Sequence, residues 1–236
     1  MNGQRVVILG GTSGIGMATA IAASQQGAEV TVVSSNQASV DRALKELPGA
    51  RGRAVDLTDA ILVQALFDDL GDIDHLVFTA GEPLTLMPLD TMETAAAKRF
   101  FDLRYFGALT AVKAAKPHLR SGGSITLTTG SAGDRPEPGW SVAASICGAI
   151  NSLTRALAVE LAPIRVNAVK PGVVRSPLWA SMSEADREQY FRDTAEALPV
   201  GRIGEVDDLA QAYLFCISQP FATGSIITVD GGAALA

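Results

Sequence analysis

The residues with the clearest chemical potential form a glycine-rich turn near the N-terminus, Gly10-Gly11-Thr12-Ser13-Gly14-Ile15-Gly16. The mostly apolar residues 5–9 before it suit a buried parallel strand, and residues 17–23 after it suit a helix. Gly10 lets the chain turn sharply, Gly14 lets backbone N–H groups approach a ligand, and Gly16 lets the helix pack against the strand. The unpaired N–H groups and positive dipole end of such a helix bind phosphate. The pattern therefore predicts a pyrophosphate site, although an ordinary strand-to-helix turn is the alternative.

Histidine and cysteine chemistry is sparse in this sequence. The histidines are His75 and His118, and the cysteines are Cys147 and Cys216. Both histidines are expected at the N-terminal edge of the predicted sheet, which argues against a Ser-His-Asp or Cys-His arrangement. Cys147 lies in a stretch of small residues, which favours a packing role over a nucleophilic one. No His/Cys cluster has metal-ligand spacing, so we predict no metal site.

Composition and charge restrict the class of protein. Hydrophobic residues make up 47% of the 236 residues and charged residues 19%, which predicts one globular α/β domain over residues 1–236. The net charge of −6 argues against nucleic acid as a partner. Two cysteines without a disulfide framework suit a reducing, cytoplasmic compartment. We expect no signal peptide and no membrane partner, because no apolar run looks long enough to cross a bilayer.

Strands alternate with helices along the whole chain, which predicts the elements that position these residues. After the first strand and helix, the predicted strands are residues 27–34, 53–56, 74–79, 124–129, 164–169 and 225–229. The predicted helices are residues 37–47, 59–70, 93–119, 142–161, 183–197 and 205–218. The alternation predicts a single-domain Rossmann fold, with a doubly wound parallel sheet of about seven strands and right-handed crossovers.

Ordered motifs over the whole chain resemble the short-chain dehydrogenase/reductase family. The glycines fall as G-x-x-x-G-x-G over Gly10, Gly14 and Gly16. Further matching stretches are Val55-Asp56-Leu57, Thr79-Ala80-Gly81, Leu157–Ala162, Ile164–Gly172, Gly201–Gly204 and Val229–Gly232. The resemblance implies a nicotinamide cofactor, a small-molecule substrate and a homo-oligomer. The family usually forms tetramers that pair through helices equivalent to residues 93–119 and 142–161.

The same resemblance implies which residues bind the cofactor. They are Gly10, Thr12, Ser13, Gly14, Ile15, Gly16, Ser34, Ser35, Asn36, Asp56, Leu57, Ala80, Gly81, Pro171, Gly172, Val174 and Ser176. NAD enzymes of this type carry an acid at the end of the second strand for the ribose 2′-OH, and that position here is Ser34. No acid occurs from Ser34 to Gln37, and the side chains there can donate hydrogen bonds to a phosphate. We therefore expect NADP(H) to be favoured over NAD(H).

The four residues that carry the family's chemistry, Asn, Ser, Tyr and Lys, are all replaced in this sequence. Flanking motifs put the Tyr position at Ala143, the Lys position at Cys147, the Ser position at Gly130 and the Asn position at Arg104. No tyrosine in the chain has a lysine four residues later. The resemblance thus indicates a divergent member without the usual proton relay.

Arg104 and Ser131 are the candidate catalytic residues. A guanidinium cannot act as a base, but it can bind a carboxylate or an oxyanion. The alternative for Arg104 is a structural ion pair with Asp102, Glu137 or a partner subunit. A register shift of one residue would put the hydroxyl of Thr129 or Ser131 at the serine position.

Several loops are expected to edge a mostly apolar pocket. They contribute Leu84, Leu86, Met87, Arg135, Pro136, Pro138 and Trp140, and a mobile substrate loop is expected around residues 177–200. Two functions stay open at this point. One is an NADP(H)-dependent oxidoreductase with an altered proton relay, and the other is a non-catalytic NADP(H)-binding sensor or regulatory protein.

Overall fold

Seven parallel strands form the central sheet in the computed structural model, which describes residues 1–236. The strands of the chain are β1 (Arg5–Leu9), β2 (Glu29–Ser34), β3 (Arg51–Ala54), β4 (Ile73–Phe78), β5 (Leu119–Thr128), β6 (Arg165–Pro171), β7 (Val174–Arg175), β8 (Gly204–Glu205) and β9 (Ile226–Val229). The sheet order is β3-β2-β1-β4-β5-β6-β9, and every neighbouring pair is parallel. The strand order reverses between β1 and β4, which opens a crevice at their carboxyl ends. The predicted fold class is confirmed.

Helices cover both faces of this sheet. They are α1 (Gly14–Gln25), α2 (Gln37–Glu46), α3 (Ala60–Leu70), α4 (Thr94–Phe101), α5 (Ala108–Ala115), α6 (Ser141–Glu160), α7 (Glu184–Ala197) and α8 (Val206–Ser218). Alternation along β1 divides the core, because Val7 and Leu9 pack with α3, α5 and α6 while Val6 and Ile8 pack with α1 and α8. The two hydrophobic layers make a doubly wound sandwich that holds the strand ends rigidly.

The helix predicted over residues 93–119 is wrong in its interior and at its end. A π-helical segment, Asp102–Gly107, separates α4 from α5, and a short 3₁₀ turn precedes Leu119, which already belongs to β5. Pro117 in that turn lacks an N–H group, so the helix cannot continue through it. Hydrophobic spacing predicts a helix over this range, but it cannot distinguish i→i+5 from i→i+4 hydrogen bonding. The π-helical segment carries Arg104.

The structure contains two short strands, β7 and β8, that are absent from the sequence prediction. They pair in a separate parallel sheet through Val174 with Gly204 and Arg175 with Glu205. Two-residue strands are too short to produce a periodic pattern, so the sequence does not predict them. Their pairing ties the segment after β6 to the start of α8.

Helix α6 also requires a correction. By length and composition it is long and apolar enough to cross a membrane, contrary to the expectation that no such run exists. Its Ile146, Ile150 and Leu157 pack into the core layer that includes Ile125 and Leu127 of β5. A helix that packs in the core of this fold is apolar because the side chains that it contacts are apolar. We therefore interpret α6 as a core helix.

His75 on β4 should make the stability of the fold depend on pH. Its side chain is buried, Nδ1 lies 2.9 Å from the Ser124 hydroxyl and Nε2 has no partner. Burial lowers the pKa of His75 from 6.5 to about 4, despite an opposing contribution from Asp74. Between these values only the unfolded chain binds the proton, so the free energy of unfolding should fall as the pH decreases from about 6.5 to about 4.

Denaturant midpoints at pH 7 and pH 4.5 test this expectation. His75→Asn does not titrate, keeps a polar partner for Ser124, and should show a smaller drop. His118→Asn, at a partly exposed histidine beside Asp68, should behave like the wild type. An equal drop in the wild type and in His75→Asn would contradict the assignment.

Candidate functional site

A cavity of about 500 Å³ lies along the carboxyl ends of the central strands. This volume is in the range of small-molecule sites. The glycine turn from Gly10 to Gly16 lines one part, with Ser34 and Asp56 beside it, and Arg104 and Cys147 line another part. The fold therefore brings the predicted phosphate site and the predicted catalytic positions into one continuous space.

The cavity lining can be compared with the predicted site residues. Arg104, Ser131 and all the predicted cofactor residues except Asn36 line it. Asn36 instead caps α2, because its Oδ1 accepts a hydrogen bond from the Ser39 N–H at 3.2 Å. Asparagine before a helix often takes this role, so a turn position alone did not distinguish a cap from a ligand contact.

The glycine turn leaves the N-terminus of α1 open to a ligand. Gly10 has a φ of +86°, and a Cβ there would lie 2.5 Å from the Ala80 backbone nitrogen, so no other residue fits. Ser13 at the N-cap makes no side-chain hydrogen bond to the first turn of α1. By contrast, Asp59 accepts hydrogen bonds from two N–H groups at the start of α3. The first-turn N–H groups of α1 thus keep their capacity to bind an anion.

The ends of β2 and β3 supply polar groups without an acid next to Ser34. The Ser34 hydroxyl accepts a hydrogen bond from the Asn36 N–H at 3.4 Å, and Ser35 lines the cavity. Farther along, the backbone N–H and the hydroxyl of Thr58 donate to Asp56 at 2.9 and 2.7 Å. These hydrogen bonds lower the pKa of Asp56 and hold it as a carboxylate.

Arg104 extends from the π-helical segment and is held by Glu82, just after β4. Its Nε lies 3.3 Å from Glu82 Oε2, and its Nη2 donates to the Glu82 backbone carbonyl. The guanidinium also lies 4.6 Å from the centre of the Phe100 ring. Burial lowers the pKa of Arg104, and the Glu82 carboxylate opposes that shift. The prediction of an ion pair with Asp102 or Glu137 is therefore wrong, because Arg104 pairs with Glu82. Only folding of the loop after β4 brings Glu82 to this helix.

Gly81 provides the surface on which the Arg104 guanidinium lies. A Cβ at Gly81 would lie 2.6 Å from Nη1, 2.7 Å from Cζ and 2.9 Å from Nη2 of Arg104. These distances are below van der Waals contact. A side chain at Gly81 would therefore displace Arg104.

Ala143, Cys147 and Gly130 all line the cavity. Ala143 and Cys147 are one helical turn apart on α6 and both line the cavity. A Cβ at Gly130 would lie 3.2 Å from the Cys147 sulfur, and the Thr129 hydroxyl donates to the Cys147 carbonyl at 3.0 Å. Burial raises the pKa of Cys147, so its thiol stays neutral and is a poor nucleophile.

Apolar side chains from α4, from α6 and its N-cap, and from two loops line the cavity near Arg104. The covering residues that line it are Leu84, Phe100, Trp140, Ile146, Leu178 and Trp179. The two loops bind each other, because Leu84 N–H donates to the Leu178 carbonyl at 2.7 Å and the Ser181 hydroxyl donates to the Leu84 carbonyl at 2.6 Å. Part of the predicted pocket edge does not line the cavity. Arg135, for example, donates to the Ala233 carbonyl at 2.6 Å.

The cavity offers a narrow set of chemical groups. Its titratable lining residues are Asp56, Glu82, Arg104 and Cys147, with no histidine, tyrosine or lysine among them. Both histidines lie outside it, as predicted. Arg104 is the cation beside the apolar covering, so it is the group that can stabilise negative charge on a bound molecule. Sequence reasoning missed Glu82, although its position directly after Thr79-Ala80-Gly81 could have indicated it.

Comparisons with known proteins show similarity along nearly the whole chain. Residues 10–234 match the family model described as Enoyl-(Acyl carrier protein) reductase. The chain is 37% identical over 253 residues to the short-chain dehydrogenase/reductase ATR9 of Stachybotrys chlorohalonatus, which covers 100% of this chain and 98% of that protein.

Two solved structures are similar to this chain over its whole length. One is a small-chain dehydrogenase in complex with NADPH, with a TM-score of 0.89, 37% identity and coverage of 100% of both chains. Another is the MalC reductase/Diels-Alderase from Malbranchea aurantiaca, with a TM-score of 0.93 and 30% identity, covering 100% of this chain and 98% of that one.

Proposed function

Because this chain belongs to the short-chain dehydrogenase/reductase family of oxidoreductases, we propose that it uses NADP(H) to reduce or oxidise a small molecule without the usual proton relay. The observation that carries this proposal is the single cavity joining the glycine turn to Arg104. A dinucleotide bound along it would have its phosphates at α1, and Arg104 would lie beside the reacting group. The NADPH-bound neighbour supports the choice of cofactor.

The residues present fit the cofactor. The open first turn of α1 suits the pyrophosphate, and the polar groups of Ser34 and Ser35 suit a 2′-phosphate. Asp56 and Leu57 would contact the adenine, and Ala80, Gly81, Pro171, Gly172, Val174 and Ser176 would hold the rest of the dinucleotide. When bound, the cofactor supplies or accepts the hydride. Asn36 stays in this proposal only through its backbone, because its side-chain oxygen caps α2.

The proton relay would be atypical because Ala143, Cys147 and Gly130 stand at the Tyr, Lys and Ser positions. We assign to Arg104 the binding of the developing oxyanion, and Ser131 is the nearby hydroxyl that could assist. General acid–base help is typically worth ~10²–10⁴ in rate, whereas positioning of two reactants contributes roughly 7–11 kcal/mol. Hydride transfer to a carbonyl can therefore proceed with positioning and oxyanion stabilisation, and the alkoxide that it leaves would take its proton from solvent water.

Loss of the relay also supports a second candidate, a sensor or regulatory protein that binds NADP(H) without turnover. The absorbance of NADPH, measured in the presence of a panel of carbonyls, enones and imines, distinguishes the enzyme from the sensor, because it falls only when NADPH is oxidised. Oxidation of NADPH that depends on one acceptor class supports the enzyme. Tight NADPH binding without turnover of any panel member supports the sensor.

NADP(H) should bind more tightly than NAD(H). Charge-assisted hydrogen bonds to the 2′-phosphate are worth about 1.5–3 kcal/mol, which predicts a ratio of roughly ten- to a hundredfold. Calorimetric titration of both cofactors measures it. Ser34→Asp introduces the acid that repels a 2′-phosphate, so it should reverse the preference, while Ser24→Asp on α1 should not. Equal affinities in the wild type would contradict the preference, and binding of neither cofactor would overturn the proposed function.

We further propose a cytoplasmic homotetramer that pairs through the α4–α5 region and α6. Phe106 in the π-helical segment and Val159 on α6 are 54% and 81% exposed, which suits a covered surface in an oligomer. Light scattering should give a tetramer at micromolar concentration. Phe106→Glu should shift the mass to smaller species, whereas Ile61→Glu, at an aliphatic residue of α3 that is 80% exposed, should not. A monomeric wild type would contradict this proposal.

A further inference from the structure

Glu82 is the acidic group that faces Arg104 in the covered part of the cavity. Its carboxylate contacts Arg104 Nε at 3.3 Å and its backbone carbonyl accepts from Nη2. The nearby acid Asp134 is paired elsewhere, with Lys170. The Glu82 carboxylate therefore partly offsets the charge of Arg104 before any substrate arrives.

The pair leaves one nitrogen of the Arg104 guanidinium, Nη1, without a protein acceptor. Nε and Nη2 contact Glu82, whereas Nη1 lies over Gly81 and has no acceptor from the protein. Glu82 Oε2 and Arg104 Nε are both buried and make no well-aligned hydrogen bond, so the pair attracts mainly by charge. A bound molecule thus meets the N–H groups of Nη1 together with the negative potential of Glu82.

This arrangement distinguishes neutral from anionic molecules. A second carboxylate at Nη1 would be attracted by Arg104 but also repelled by Glu82, so its net attraction would be weaker than to an unpaired guanidinium. A neutral carbonyl would accept from Nη1 without that repulsion. Negative charge that develops only during the reaction would be stabilised by Arg104 at close range, which is the condition for catalysis.

We propose that Glu82 is a specificity-determining residue that partly offsets the charge of Arg104, so that the cavity selects an acceptor with a neutral carbonyl-type group over one with a free carboxylate or phosphate. The inference rests on the proposed function, because it takes the space beside Arg104 to be the acceptor site. It narrows the substrate class to neutral, largely apolar molecules, since Leu84, Trp140, Leu178 and Trp179 supply the rest of that space.

Benzamide and benzoate test the proposal, because they share shape and differ in charge. Binding of each to the NADP⁺-loaded protein, and to the protein alone, can be followed by ligand-observed NMR. The wild type should bind benzamide at least as tightly as benzoate. Glu82→Gln keeps the size of the side chain and removes its charge, so benzoate should bind on the order of tenfold more tightly while benzamide changes less than about twofold.

Two further variants test whether the change in benzoate affinity arises from the Glu82–Arg104 pair. Glu137→Gln removes the same charge from an exposed residue outside the cavity and should leave the wild-type preference unchanged. Adding Arg104→Ala to Glu82→Gln should abolish the gain for benzoate, since that gain acts through the guanidinium. Both tryptophans of the chain line the cavity, so their fluorescence gives an independent signal of binding.

The proposal is overturned if wild-type protein prefers benzoate, if Glu82→Gln leaves benzoate affinity unchanged, or if neither fragment binds any form. Failure of the proposed function is separately visible, because it would appear as absent NADP(H) binding in the calorimetric titration. A shifted fragment preference without cofactor binding would support the role of Glu82 and overturn the oxidoreductase.

Discussion

Gly16→Ala should abolish NADP(H) binding and lower the free energy of unfolding by about 3 kcal/mol, at the upper end of the range for overpacked sites. Gly16 lies where α1 passes closest to β1 and β4. A Cβ there would overlap the carbonyl oxygen of Gly10 and the hydroxyl of Thr79. The carbonyl oxygen of Gly10 belongs to the backbone of a turn that only glycine fits, so it cannot move aside as a flexible side chain could. The clash must therefore move the turn or the helix. Either movement misplaces the N–H groups that we assign to the pyrophosphate.

Cofactor titration and denaturant unfolding of the same variant measure the two effects. Gly148→Ala is the matched control, because a Cβ on that helical glycine of α6 meets nothing within 4 Å. Alanine is favoured over glycine in helices by about 1 kcal/mol, so this control should keep cofactor affinity. Gly16→Ala with wild-type affinity would remove the glycine turn from the cofactor site.

Arg104→Ala should reduce kcat/KM by about 2–4 kcal/mol in transition-state energy, roughly 30- to 1,000-fold, on whichever panel substrate is turned over. The reason is loss of the cation that we assign to the developing oxyanion. Cofactor affinity should change little, because we assign the phosphates to the glycine turn. Arg104→Lys should not restore full activity, since the planar donor fork is lost.

A structural role for the Arg104–Glu82 pair predicts a different outcome, which thermal unfolding of the same variants measures. If the pair serves only the fold, Arg104→Ala should lower the melting temperature or loosen the oligomer and leave turnover unchanged. Gly81→Ala offers a second way to move the guanidinium without removing it, because its Cβ would lie 2.6 Å from Nη1. Reduced stability with unchanged activity in Arg104→Ala would exclude Arg104 from the mechanism.

Local sequence determined the framework of this protein. The run from Arg5 to Leu9, the glycine spacing and the helix after it predicted β1, the turn and α1, because hydrophobic period and glycine conformations act over neighbouring residues. Parallel strand order then carried Asp56, Gly81 and Pro171 to one edge of the sheet, where all three line the cavity. Flanking motifs placed Ala143 and Cys147 one turn apart on a predicted helix, and both line the cavity.

Tertiary structure alone decided which side chains meet inside that framework. Arg104 pairs with Glu82, 22 residues earlier, because the loop after β4 folds back over the π-helical segment. Neither the extra residue per turn in that segment nor the contacts between Leu84 and Leu178 leaves a periodic signal in the sequence. Asn36 is a different case, because its cap is a local contact with Ser39, and a turn residue can bind either its own backbone or a ligand. Ion pairs and loop contacts depend on distances across the fold, and sequence spacing specifies only distances along the chain.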